Sequence, residues 1–229
     1  MTAAAVATRM QIQAILFDVD GTLVDSNEAH VDSWAVAFRG TGRPQEVDDI
    51  RQQIGKGGDL LVPSLLPQAN KEQRQAIAEA HGRHFKSAYL PHIKPFPQAR
   101  ALLERVKHSG RQIVLASSAK QDEVDHYLRL LEARKLVDAV TSADDVVASK
   151  PEPDIFAAAL EKAGVASDAA VVVGDTVYDV EAARRLGIAT IGLTSGPFDR
   201  TQLKDAGAIA VFADVADLLA SFDRSPLSD

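Results

Sequence analysis

The sequence contains no cysteine, and only 2 methionines and 1 tryptophan among its 229 residues. Without a thiol there is no disulfide, no thiolate nucleophile and no thiolate metal site, and a reducing compartment such as the cytoplasm suits the chain. Long apolar runs are missing too: nothing approaches the roughly 20 residues of a membrane-spanning helix. The Ala-rich residues 1–10 hold a single basic side chain, Arg9, and no extended apolar core, so they read as a short frayed tail rather than a secretion signal. Positive charge is in deficit. With 25 Lys and Arg against 32 Asp and Glu, the formal net charge is −7. That balance weighs against a nucleic-acid or anionic-membrane partner, yet leaves room for a small anionic substrate held by a local cation. The apolar and charged fractions, 46% and 25%, are those of an ordinary globular protein, long enough for one full α/β domain and a small second one. Internal repeats, low-complexity segments, heptads and a strong exposed apolar stripe are all missing, and a monomer is expected.

What is present is organised around Ile15-Leu16-Phe17-Asp18-Val19-Asp20-Gly21-Thr22. An apolar run that stops at two carboxylates, a glycine and a hydroxyl reads as a buried parallel strand that delivers acids to its C-terminal edge, where open α/β sheets bind ligands. Like charges crowded there repel unless a cation neutralises them or one of them keeps a proton, and both solutions suit phosphoryl chemistry. A metal-bound carboxylate can attack phosphorus; a neighbouring carboxyl can protonate the leaving oxygen and then activate water.

Further strands are expected at Gln112–Ala116, Val137–Thr141, Ala170–Val173, Ile188–Leu193 and Ile209–Phe212, with helical patterns between them. Strands alternating with helices imply a doubly wound parallel sheet. Residues 25–95 break the alternation. They hold a helix opening at Ser26, the turn Gly55-Lys56-Gly57-Gly58, a long helix over about 70–89 and no strand-like run, so they read as an all-helical cap inserted into a core of 11–24 and 96–229. The proline-stiffened 91–97 is the return linker.

In a parallel sheet the strand C-termini share one edge, which gathers Asp18, Ser117 and Asp175, with Lys150 just ahead of a helix start. Asp175, with Asp179 one helical turn on, completes a hard oxygen site for Mg²⁺ with Asp18. Ser117 and its turn, which includes Ser118, would hold phosphate oxygens while Lys150 supplies fixed positive charge in the transition state.

These motifs resemble those of the haloacid dehalogenase (HAD) superfamily: Asp18-Val19-Asp20-Gly21-Thr22 for the first, Ser117 for the second, Lys150 with Pro151-Glu152-Pro153-Asp154 for the third, and Gly174-Asp175-Thr176-Val177-Tyr178-Asp179 for the fourth. The resemblance spans roughly residues 12–222. It implies a Rossmann-like core, Asp18 as nucleophile, Asp20 as general acid/base, and Mg²⁺ bound by Asp18, the Asp20 carbonyl oxygen and Asp175. The acid at Asp20 separates the chain from the superfamily's dehalogenases and favours a phosphatase acting on a small soluble phosphomonoester, of phosphoglycolate or sugar phosphate type. Thr22, Ser118, Gly55, Lys56, Gly57 and His30 are the substrate-side candidates. Asp20, His30 and Trp34 also resemble a β-phosphoglucomutase, but Gly58 stands where that mutase's cap carries an arginine. A receiver-like signalling module is disfavoured by the inserted cap, and an inactive binding protein by the intact motifs.

Overall fold

A computed structural model describes residues 11–228; the tail expected over residues 1–10 lies outside the described residues. In chain order the elements are β1 (Ala14–Phe17), β2 (Val24–Asp25), α1 (Asn27–Gly40), α2 (Val47–Arg51), α3 (Gly58–Leu65), α4 (Lys71–Ala88), β3 (Lys94–Pro95) and α5 (Ala99–His108). They continue with β4 (Gln112–Ala116), α6 (Gln121–Leu130), β5 (Ala139–Thr141), α7 (Asp154–Ala163), β6 (Ala170–Gly174), α8 (Val177–Arg185), β7 (Ala189–Leu193), α9 (Arg200–Ala206), β8 (Ala210–Phe212) and α10 (Val215–Ala220).

The main sheet has the order β5-β4-β1-β6-β7-β8, and every pairing in it is parallel. β1 is Ala-Ile-Leu-Phe and wholly buried, as a strand covered on both faces requires. Its side chains alternate between two cores. Ile15 and Phe17 join Leu102, Val106, Tyr127 and Leu218 from α5, α6 and α10, whereas Ala14 and Leu16 join Phe156, Ala159 and Ala182 from α7 and α8. The chain winds from β1 out to β4 and β5, then crosses back to β6, β7 and β8. That reversal opens a crevice at the C-terminal ends of β1, β4 and β6, where such sheets take their ligands.

The helices α1 to α4 stand over this edge and share a core of their own, built on Trp34, Phe38, Ile50, Leu61, Val62 and Ile77. Helix α4 starts at a capping box, in which Asn70 accepts from Gln73 N and Gln73 accepts from Asn70 N. Two connections tie α1–α4 to the sheet. They form a short antiparallel ribbon in which Val24 pairs with Pro95 and Asp25 with Lys94. The expected linker over 91–97 is thus partly strand, because the outgoing and returning chains lie side by side and satisfy each other's backbone groups. No helix among the described residues is long and apolar enough to cross a membrane.

Candidate active site

Asp18 directly follows β1, and its backbone N–H still donates to Val173 O of β6 at 2.9 Å. The chain then curls into a tight loop in which Leu23 N donates to Val19 O at 2.8 Å and Gly21 N to Val24 O at 2.9 Å. Gly21 sits at φ +76°, and a Cβ there would collide with the Asn27 and Asp175 side chains, so the loop admits only glycine.

Asp18, Asp175 and Asp179 place carboxylate oxygens within 4.8 Å of one another, all buried. Thr22 Oγ1 reaches two of them, 3.2 Å from Asp18 Oδ2 and 3.0 Å from Asp175 Oδ1, and Asn27 Nδ2 donates to Asp175 Oδ2 at 2.9 Å. Lys150 is 1% exposed and enters from the far side, paired with Asp18 Oδ1 and lying 2.7 Å from Asp179 Oδ1. Its ammonium also donates to Ala116 O at 3.1 Å. The second oxygen of Asp179 caps α8, accepting from Thr176 N at 3.1 Å and Thr176 Oγ1 at 2.6 Å. Asp179 thus divides its oxygens, Oδ2 to the α8 cap and Oδ1 to Lys150 and the acid cluster.

Asp20 faces elsewhere. Its Oδ1 accepts from Ser26 Oγ at 2.7 Å, Tyr127 Oη at 2.8 Å and His30 Nε2 at 3.2 Å, while Ser117 Oγ lies 3.5 Å from Oδ2. Ser26 precedes α1 as expected, but its hydroxyl makes no cap bond and instead donates to Asp20. On the other side of the ring, His30 Nδ1 lies 3.2 Å from His81 Nε2, within hydrogen-bond distance. His81 stacks on Trp34 at 3.8 Å, and His30 on Phe85 at 3.9 Å. Burial and then repulsion from His30 drive the His81 pKa well below the usual imidazole range, so that ring is neutral.

Two acids on one loop thus differ in charge state. Burial, only partly offset by Lys150, raises Asp18 to about 7, and burial with the Asp18 and Asp179 charges raises Asp175 well above the carboxylate range. For Asp20 burial is outweighed by hydrogen bonds and charge from His30 and by bonds from Ser26 and Tyr127, and its pKa falls. Lys150 is desolvated as well, yet Asp179 and Asp18 more than compensate and hold it charged.

Over the acids lies a cavity of about 620 Å³ between the sheet edge and α1–α4. Asp18, Asp20, His30, Gly55, Lys56, Gly57 and Ser118 all line it. Several candidates there are already occupied by protein groups. The Lys56 ammonium bonds Gln53 Oε1 at 2.6 Å and Ser64 Oγ at 3.2 Å and lies 4.6 Å from the centre of the Tyr178 ring. Gly57 N donates to Ser149 Oγ at 2.9 Å, and Ser118 Oγ to Gly55 O at 3.4 Å. Tyr178 Oη adds a bond to Gln52 O at 2.5 Å, so the turn at 52–57 is fastened to the sheet edge. Ser117 Oγ also accepts from Ala119 N at 3.0 Å, the short-range bond of a turn.

Loop, lysine and acid cluster occupy one sheet edge in the order the motifs predict, and a family model described as haloacid dehalogenase-like hydrolase matches residues 15–193. The chain belongs to this family. Similar proteins include a phosphorylated carbohydrates phosphatase of Thermotoga maritima, 30% identical over 87% of this chain and 94% of its own. A phosphoglycolate phosphatase of Yersinia pseudotuberculosis is 29% identical over 95% of this chain and 96% of its own. Among solved structures, a hydrolase from Pseudomonas syringae superposes with a TM-score of 0.87 at 33% identity, covering 93% of this chain and 98% of that one. In this HAD-like hydrolase, Tyr127, Asn27 and Ser149 are site residues that sequence reasoning missed. Tyr127 lies on the apolar face of α6 with Val124 and Leu128, where only its buried hydroxyl, which needs a partner, hints at the role.

Proposed function

We propose that the protein is a Mg²⁺-dependent phosphatase that hydrolyses a small soluble phosphomonoester, of phosphoglycolate or sugar phosphate type, through a phospho-Asp18 intermediate. The observation that carries this reading is the contrast between the two acids on one loop. Asp18 lies against a buried lysine in a cluster of like charge, whereas Asp20 is turned to the opposite wall under three donors. One carboxylate is placed to attack, the other to handle protons.

The donor set suits a hard divalent cation, because buried carboxylates crowded this closely repel one another until positive charge is added. Asp18, Asp175 and the Asp20 carbonyl oxygen would hold it, with Asp179 kept on Lys150. When bound, the ion neutralises negative charge on the phosphate as it meets Asp18. Asp18 then forms an O–P bond as the ester O–P bond breaks, and Asp20 protonates the departing oxygen. In the second half a water gives its proton to Asp20, its oxygen bonds to phosphorus, and the Asp18–phosphorus bond breaks. Asp20 is ionised in the free site; the incoming phosphate's negative charge raises its pKa towards the protonated form that the first half needs. Lys150 keeps Asp18 in place and adds fixed positive charge, while Ser117 and Ser118 meet phosphate oxygens at the end of β4. Residues 25–95 act as a cap over the site, and the chain works as a cytoplasmic monomer.

Inorganic phosphate release from a panel of phosphomonoesters, with Mg²⁺ and with chelator, tests the reading. Metal-dependent release that disappears in Asp18→Asn supports it. Absence of release from the folded protein would contradict it and direct the next assay to conversion of β-glucose 1-phosphate.

A further inference from the structure

Helix α4 carries one glycine well inside its length, Gly82, eleven residues from the first position Lys71 and six from the last, Ala88. Glycine weakens a helix interior relative to alanine, so a sequence keeps it there for a reason. Crowding is the usual one, and it fails here. A Cβ built on Gly82 meets no atom within 4 Å. At Gly58, by contrast, a Cβ would lie 3.0 Å from both Ala78 Cβ and Trp34 Cη2, so packing alone accounts for that glycine.

Gly82 lines the cavity above Asp18 and Asp20. Helical spacing puts Gln75, Gly82 and Lys86 on one face, and all three border the cavity. The missing side chain therefore leaves a recess between two polar groups, not in the protein's own core. At about 620 Å³ the cavity falls within the roughly 300–1,000 Å³ of sites that enclose ring-sized ligands. A two-carbon alcohol leaves most of that space to water. The walls combine Trp34, Ala78 and Gly82 with the polar Gln75 and Lys120, while Lys86, whose ammonium is held by Asp122 and Glu123, lends its stem; the mixture suits a ring with hydroxyl groups.

From this we infer that Gly82 is a specificity-determining position whose open space admits the leaving group, and that the leaving group is a hydroxylated ring such as a hexose. The inference rests on the phosphatase reading above. The test compares kcat/KM for glucose 6-phosphate and phosphoglycolate, both with Mg²⁺, in wild type, Gly82→Ala and Gly82→Leu, alongside the melting temperature of each. The wild type should favour the hexose ester. Gly82→Leu should lower the hexose-to-glycolate ratio about tenfold or more, as a misfit of a few carbons in a shaped pocket does. Gly82→Ala should move the ratio the same way by less, with a melting temperature at or above wild type, which decides the matter if the leucine variant does not fold. A wild-type preference for phosphoglycolate, or an unchanged ratio in folded variants, overturns the inference and leaves the phosphatase reading standing. Release from neither ester but from another member of the phosphomonoester panel overturns the inference alone, and release from no member overturns both.

Discussion

Replacing Asp18 by asparagine probes the electrostatic design of the site without touching its shape. In the cation-free protein the Asp18 pKa stands at about 7, raised chiefly by burial, against about 3.9 in an unfolded chain. A raised acid holds a proton in the folded state that the unfolded state has lost. Its stability contribution is complete below the unfolded value and disappears as the pH climbs through the folded one. From pH 5 to pH 8 that covers about two pKa units, or about 2.7 kcal/mol at 1.36 kcal/mol per unit. The amide of Asp18→Asn is neutral throughout and loses nothing. Asp175, also raised, is relieved when its charged neighbour is removed, which widens the gap in the same sense. His81 titrates in the opposite direction, its depressed pKa making stability rise with pH, but it is common to both proteins and cancels in the comparison. Thermal unfolding in chelator should therefore show the variant gaining on wild type by about 5–10 °C between pH 5 and pH 8, using about 2–4 °C per kcal/mol for a chain of this size. Added Mg²⁺ should close the gap, since it stabilises the native carboxylates and binds the variant less. A gap that is independent of pH, or one that narrows towards pH 8, would refute the account of Asp18.

Lys150→Met removes the buried cation between Asp18 and Asp179; leaving those acids uncompensated should cost about 3–5 kcal/mol at pH 8, and turnover should fall at least a hundredfold, measured by denaturant unfolding and phosphate release. Tyr127→Phe removes one of the three donors on Asp20 Oδ1, so the pH limb of turnover governed by Asp20 should move up by about one unit; a shift downward counts against the acid/base role. Gly21→Ala forces a side chain onto Asn27 and Asp175 at φ +76° and should lose more than tenfold in activity and about 1–3 kcal/mol in stability. Gly82→Ala should stabilise α4 by about 0.5–1 kcal/mol in the same unfolding assay.

The sheet was readable because its inner strands are buried on both faces and so appear as apolar runs closed by polar residues: Ala170–Gly174 is the plainest, and the parallel order follows from the helices between the strands. The same logic places Asp18, Ser117 and Asp175 on one edge. What the sequence hid depends on contacts across long separations. The β2–β3 ribbon is two residues wide on each side, too short for any period to show. Tyr127 looks like one more apolar contact of α6 until Asp20, 107 positions away, is placed against it. Lys56, in a flexible-looking glycine turn, offers a free cation to the reader of the sequence, yet folding commits it to Gln53, Ser64 and the Tyr178 ring. Ser26 has the position of a helix cap, yet its hydroxyl donates to the Asp20 carboxylate and makes no cap bond, a contact that only the curl of the loop after β1 brings within reach.

Turnover through Asp18 requires that phosphorus become bonded to its carboxylate. Asp20→Ala removes the group that activates water and so should slow breakdown of that bond. Mixing this variant with Mg²⁺ and an aryl phosphate, whose leaving oxygen departs without a proton from Asp20, quenching in acid, and mapping the peptides by mass spectrometry should place one phosphoryl group on the peptide that holds Asp18, absent in the Asp18→Asn control. Ester hydrolysis with no phosphorylated peptide at any quench time, or a phosphoryl group on another residue, would contradict it.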